Sequence, residues 1–303
     1  MKHNVKITAI LLTMFVVSQF IGIYVVNHYL SDANPLPFGM DSPKIESQSD
    51  YINIFPSIII AFVFAILLFL FLTKFKVEFV LRAWFFTVVV IALSIFFFSL
   101  TSNFDKVLYS IPIIATLIAI PLAVIKIYGR NFVVHNATEL LIYPGIAAVF
   151  VPFLNVWTII ALLIIISVYD AWAVWHSGIM QKMAKYQINQ LKIFSGFFIP
   201  YASKKVKQQI ANWKKTLSKS KLAKKKVKIS VAILGGGDVV FPIITAGVML
   251  KTLGLYSALL VVLGATLGLG YLFFVSEKKK FYPAMPFITA GILAGILASY
   301  IFL

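Results

Sequence analysis

Ile159-Ile160-Ala161-Leu162-Leu163-Ile164-Ile165-Ile166-Ser167-Val168-Tyr169-Asp170 is an apolar run that ends on a carboxylate. A second stretch repeats the pattern: Ile229-Ser230-Val231-Ala232-Ile233-Leu234-Gly235-Gly236-Gly237-Asp238-Val239-Val240-Phe241. Apolar runs recur along the chain, several of them near the ~20 residues that a helix needs to cross a hydrocarbon core of ~30 Å. Composition agrees: 61% of the 303 residues are hydrophobic and 12% are charged, whereas a soluble domain is about a quarter charged. The chain therefore reads as an integral protein of the cell membrane. A charge inside hydrocarbon costs ~3 kcal/mol or more, so an ionisable group there marks a functional site by default. Two such groups of one type suggest a pair, and paired carboxylates suggest proton-transfer chemistry.

Working outward from these runs, the sequence predicts an all-α polytopic fold of nine spans, at about 7–29, 52–73, 79–101, 107–127, 138–153, 156–175, 228–251, 254–275 and 281–302. The fifth is the weakest, being short and interrupted by Pro144. Lys2 and Lys6 followed by apolar residues from Ile7 to Val26 resemble a signal peptide. That run is too long for one and lacks a small-x-small cleavage site, so it reads as an uncleaved first span.

The basic residues test the count. Lys2 and Lys6; Lys74, Lys76 and Arg82; Lys126 and Arg130; fourteen lysines from Lys182 to Lys228; and Lys278, Lys279 and Lys280 all fall on one side. Only Lys44, Lys106 and Lys251 fall on the other. The positive-inside rule then predicts a cytoplasmic N-terminus and places Leu303 outside. Topology accounts for most of the net charge of +17, and no nucleic-acid partner is needed. The chain divides into an N-terminal bundle (1–175, spans one to six, carrying Asp170), a basic cytoplasmic loop (176–227) and a C-terminal bundle (228–303, spans seven to nine, carrying Asp238). The loop has no acidic residue, and its lysines alternate with Met180, Met183, Ile188, Leu191, Ile193 and Phe197. It reads as amphipathic pieces resting on anionic lipid, with substrate docking or gating as the alternative. The acidic, proline-containing stretch 30–51 reads as a solvated loop. With no cysteine there is no disulfide, thiolate nucleophile or cysteine metal site.

Depth relates the two aspartates. Asp170 lies about six residues from the cytoplasmic end of its span, ~9 Å in, and Asp238 about ten residues beyond Lys228, ~15 Å in. Gly235, Gly236 and Gly237 each disfavour helix by ~1 kcal/mol relative to alanine, which loosens the span before Asp238. Pro242 removes a backbone donor beyond it. Pro283-Ala284-Met285-Pro286 breaks or starts span nine at the same depth. Broken helix in a membrane is tolerated where it is buried or lines a water-filled cavity, so three breaks in one layer imply a shared hydrated site. Other polar residues have plainer readings. His135 and His176 are interfacial, and Glu139 and Glu277 are solvated at span ends. Tyr169 either bonds within the cavity, contacts substrate or simply packs. Gly264 and Gly268, like Gly291 and Gly295, have small-xxx-small packing spacing.

Tyr169-Asp170, Gly235-x-Gly237-Asp238 and Pro283-Ala284-Met285 resemble, in this order and in these spans, the YD, GxGD and PAL motifs of the presenilin and signal-peptide-peptidase family of intramembrane aspartyl proteases. The nine-span layout is similar throughout. The orientation resembles presenilin rather than signal peptide peptidase, and the size resembles single-chain archaeal homologues. Met285 departs from the family's leucine by a volume-conserving swap. The resemblance implies an aspartic endopeptidase without metal or cofactor, whose partners are transmembrane helices of substrate proteins and the bilayer. Asp170 and Asp238 would be catalytic. Tyr169, Gly235, Gly236, Gly237, Pro283, Ala284 and Met285 would support the site or bind substrate, the last three by pairing with an unwound strand. Gly236, at the variable position, would add flexibility. Prepilin and preflagellin peptidases also use Gly-x-Gly-Asp but differ in span number and lack the proline motif. A transporter or ion-leak pathway would use the aspartates as ion sites and the broken spans as its route.

Overall fold

The computed structural model describes residues 5–31, 33–40, 47–75, 77–129, 131–177, 193, 195–201, 206, 208, 213, 230–277 and 282–302. Most of the basic loop, including Met180, Met183, Ile188 and Leu191, lies outside these residues. Among the described residues there are nine apolar α-helices: α1 (Val5–Tyr29), α2 (Gln48–Lys74), α3 (Glu78–Thr101), α4 (Ile113–Tyr128), α5 (Phe132–Phe150), α6 (Val156–Trp172), α7 (Gly236–Leu253), α8 (Leu255–Val275) and α9 (Met285–Phe302). Eight are long and apolar enough to cross a membrane. The exception is α4 rather than the fifth, with 16 residues.

The reason is a hairpin where the sequence suggested helix. Val107–Leu108 (β1) pairs antiparallel with Ile111–Pro112 (β2), and α4 starts only at Ile113. Asp105 fixes that start by accepting from the amides of Ile114 and Ala115, both at 2.9 Å, so a carboxylate satisfies donors that a helix leaves open. α5 is correspondingly longer than expected. Asn131 caps it, accepting from the Val133 amide at 2.9 Å, and Pro144 is accommodated within it. α6 begins with a capping box between Asn155 and Thr158.

A larger departure precedes Asp238. Ser230–Gly235 is a strand (β4), not the start of span seven, and it pairs antiparallel with Gly196–Tyr201 (β3), Gly196 opposite Gly235. The all-α reading thus gains two small sheets. β3 lies in the basic loop, where amphipathic surface pieces were expected; Phe197 is fully buried and Ile193 nearly so.

One apolar cluster joins α1, α5 and α6 with α7, α8 and α9, so the segments 1–175 and 228–303 share a core. In lipid, helices associate through close packing and not through expulsion of water. At the α8–α9 crossing a Cβ at Gly264 would strike the Gly291 carbonyl oxygen, and one at Gly291 would strike that of Gly264. These glycines are the packing surface their spacing suggested. At the far end of α7, Lys251 Nζ donates to the carbonyls of Leu154 (2.8 Å) and Val151 (3.2 Å) and to the Tyr51 hydroxyl (3.2 Å). It thereby ties α7 and α2 to the turn between α5 and α6.

Candidate active site

Two of the three motif segments enter the site at helix N-termini. Gly235 is the N-cap of α7, with extended backbone (φ −63°, ψ 150°), which makes Asp238 the third helical residue. From there its carboxylate reaches back to the Gly235 amide, the return half of a capping box. Asp238 is therefore held at a strand-to-helix corner, not on a loosened stretch within a span. A Cβ on Gly235 would stand 3.1 Å from Asp238 Oδ2, so the absent side chain leaves the carboxylate its place.

Gly236 is empty for another reason. Its Cβ would stand 2.9 Å from the Tyr143 hydroxyl and 2.8 Å from Ser195 Oγ. The variable position of the motif is a gap filled by α5 and by the residue before β3. At Gly237 only ordinary contact with Phe241, from 3.8 Å, awaits a Cβ.

Asp170 lies near the end of α6 and is 3% exposed. Its Oδ2 accepts from the Met285 amide at 3.1 Å, and the Ala284 amide also points to it. Met285 is the first residue of α9, and Pro286 follows in its first turn, where proline is compatible with helix. The proline motif thus aims the free amides of a helix N-terminus, a natural anion site, at Asp170. One turn before Asp170, Ser167 Oγ donates to Thr289 Oγ1 at 2.8 Å, fixing α6 against α9. Pro283 and Met285 are buried and Ala284 is half-buried. Tyr169 is half-buried, its ring tilted on Trp172 at 6.4 Å.

Asp170 lies within electrostatic reach of Asp238. A cavity of about 110 Å³ opens beside Asp238, between Ile233 and Leu234 of β4 and Tyr282 and Ala284 before α9. The outer edge of β3 is closed. Asn136 Nδ2 donates to the Phe198 carbonyl at 2.8 Å, the Phe198 amide donates to Asn136 Oδ1 at 3.0 Å, and His135 Nε2 meets the Gly196 carbonyl oxygen at 2.9 Å. In an antiparallel pair, backbone groups of alternate residues face opposite edges. Among the described residues no strand pairs with the other edge of β4, whose Ile233 and Leu234 line the cavity.

Two residues read as peripheral are central here. Glu139 is 1% exposed and His135 8%. Lys126 Nζ donates to Glu139 Oε1, and His135 Nε2 lies 3.6 Å from the same oxygen. The sequence does carry a signal: Asn131 is an N-cap residue, and a helix that starts there carries Glu139 two turns inside it. His176 is exposed in a π turn after α6.

The sequence profile of the family described as signal-peptide peptidase, presenilin aspartyl protease matches residues 12–303. Among solved structures, a presenilin family intramembrane aspartate protease is similar in two crystal forms. In the C222 form the TM-score is 0.61 at 16% identity, covering 98% of this chain and 99% of that one. In the P2 form it is 0.59 at 18% identity, covering 97% of each. At these identities the likeness establishes the fold alone. Comparison with curated proteins finds no match. The chain is therefore a member of the signal-peptide peptidase and presenilin family of aspartyl proteases, integral membrane hydrolases that act within the bilayer.

Proposed function

We propose that Asp170 and Asp238 form one water-activating dyad that hydrolyses peptide bonds within transmembrane helices of other proteins. The observation that carries this reading is that Asp170, on α6, lies within electrostatic reach of Asp238, on α7, which itself lines the cavity. Neighbouring carboxylates share a proton more readily than both ionise. The ionised member takes a proton from water as that water attacks the scissile carbonyl, while the protonated member donates to the carbonyl oxygen. The tetrahedral diol then collapses, the C–N bond breaks, and the proton returns to the leaving amine. No covalent acyl-enzyme forms.

The substrate helix unwinds locally and lies as a strand between β4 and Ala284. Support comes from the edge left beside the cavity and from its lining residues, Ile233, Leu234 and Ala284. Adding a strand to a sheet edge satisfies the backbone that unwinding exposes, which hydrocarbon otherwise penalises. The basic side is cytoplasmic, so cleavage falls in the cytoplasmic half of the substrate span. The segments 1–175, 176–227 and 228–303 then act as one carboxylate-bearing bundle, a cytoplasmic connection that contributes β3, and a second carboxylate-bearing bundle.

The test is cleavage of a model transmembrane substrate in liposomes by purified protein and by its Asp170→Asn and Asp238→Asn variants. Each variant loses cleavage while keeping its fold. Cleavage that survives in either, or ion flux without any proteolysis, rejects the reading.

A further inference from the structure

α5 turns one polar stripe toward the active segment. His135, Glu139 and Tyr143 are spaced four residues apart, so they stand above one another on a single helical face. From this stripe two connections reach Asp238. The first runs through β3: His135 and the adjacent Asn136 hold the Gly196 and Phe198 backbone from outside, β3 pairs with β4, and β4 leads into Gly235. The second is direct, because Tyr143 fills the space at Gly236 and is close enough to Asp238 to feel its charge.

The stripe is anchored by a buried ion pair. The Lys126 and Glu139 side chains are 4% and 2% exposed, and Lys126 Nζ also lies 3.4 Å from His135 Nδ1. A buried pair is weak evidence for stability, since apolar residues of equal volume often do as well or better. It does fix geometry: Glu139 sits between Lys126 on α4 and His135 on its own helix, which limits how the imidazole can turn toward Gly196. A one-residue slip of β3 against β4 would exchange the faces on which the slipped strand's side chains stand.

We propose that Lys126, Glu139, His135 and Asn136 are positioning residues that hold β3 in register against β4 and thereby fix how β4 is presented beside Asp238, and so decide which substrate bond meets the carboxylates. None of them touches substrate; they act through the strand pair. The inference rests on the dyad reading above. The two fail differently, because losing the dyad abolishes cleavage and losing the register displaces it.

The experiment uses the full-length protein in liposomes with three readouts: melting midpoint, kcat and KM, and cleavage positions by mass spectrometry. One variant is the paired Lys126→Met, Glu139→Leu, which removes both charges at similar volume. The other is Asn136→Leu, which frees the outer edge of Phe198. The paired variant keeps the melting midpoint of the parent. In both, kcat falls by up to ~100-fold, the scale of an ångström-sized misplacement, with KM within about twofold. Cleavage spreads to bonds on either side of the parent position. Parent rate and position in both variants overturn the proposal. So does a loss confined to KM, or a loss of kcat that only tracks the fraction unfolded. A paired variant that fails to fold makes the cluster a stability element and overturns it equally.

Discussion

Gly235→Ala separates the placement of Asp238 from the folding of its helix. Gly235 has a backbone conformation open to any residue (φ −63°, ψ 150°), so the substitution adds no backbone strain. Alanine narrows the unfolded ensemble, which is worth ~0.4–1 kcal/mol, but it is a poorer N-cap than glycine by a similar amount, roughly 0.5–1 kcal/mol. The two terms offset, and stability should stay within ~1 kcal/mol of the parent. The carboxylate fares differently. The new methyl group would stand 3.1 Å from Asp238 Oδ2, tighter than ordinary contact, so the side chain must turn. Leaving its rotamer costs ~0.5–1.5 kcal/mol, and weakening the charge-assisted bond from the Gly235 amide costs up to ~1.5–3 kcal/mol. If the reacting geometry carries that loss, kcat falls ~10- to 1000-fold at ~1.4 kcal/mol per decade. The assay is single-turnover cleavage of a transmembrane substrate, beside a thermal melt of the same preparation. Parent-like kcat would refute the argument that the absent Cβ keeps the carboxylate in place. A melt lowered by several kcal/mol would show that Gly235 serves the fold instead.

Gly236→Leu should abolish cleavage, because Tyr143 occupies that space at 2.9 Å. Adding Tyr143→Ala should recover part of it, with a coupling of at least ~1 kcal/mol in a double-mutant cycle; strict additivity would count against the contact. Gly264→Ala should lower stability by ~1–3 kcal/mol through overpacking against the Gly291 carbonyl. An unchanged denaturation midpoint in detergent would contradict that crossing. Lys251→Met strands the carbonyls of Val151 and Leu154. It should cost ~2–4 kcal/mol, read as a lower melting midpoint, with kcat of the folded fraction unchanged.

The carboxylates were legible because charge in hydrocarbon is expensive and their neighbours are glycine and tyrosine in a recognisable order. Span number was legible because a bilayer sets a length. What escaped had no such constraint. Ser230–Gly235 is as apolar as the helix it precedes, and a short apolar run has no period that distinguishes strand from helix. Its partner β3 lies in a loop whose lysines dominate the pattern, so Phe197 looked like one side of a surface helix. Glu139 was misplaced by a boundary. Starting span five at 138 puts it at an exposed end, whereas the helix begins at Phe132, capped by Asn131. Lys126, read as a topology signal, is buried against it. An N-cap asparagine, Asn131, seven residues before the expected start was the available clue. Asp170's dependence on the Met285 amide was beyond reach of local patterns, since a backbone donor leaves no mark on residue type.

The bond between Asp170 and the Met285 amide spans 115 residues of chain. A contact of such separation must meet its loop-closure cost before it is rewarded. An incompletely folded bundle can therefore hold both aspartates and still lack an organised centre. Completing the site therefore requires the start of α9 to dock against α6, so the two ends of this 115-residue separation must be joined before Asp170 has its backbone partner.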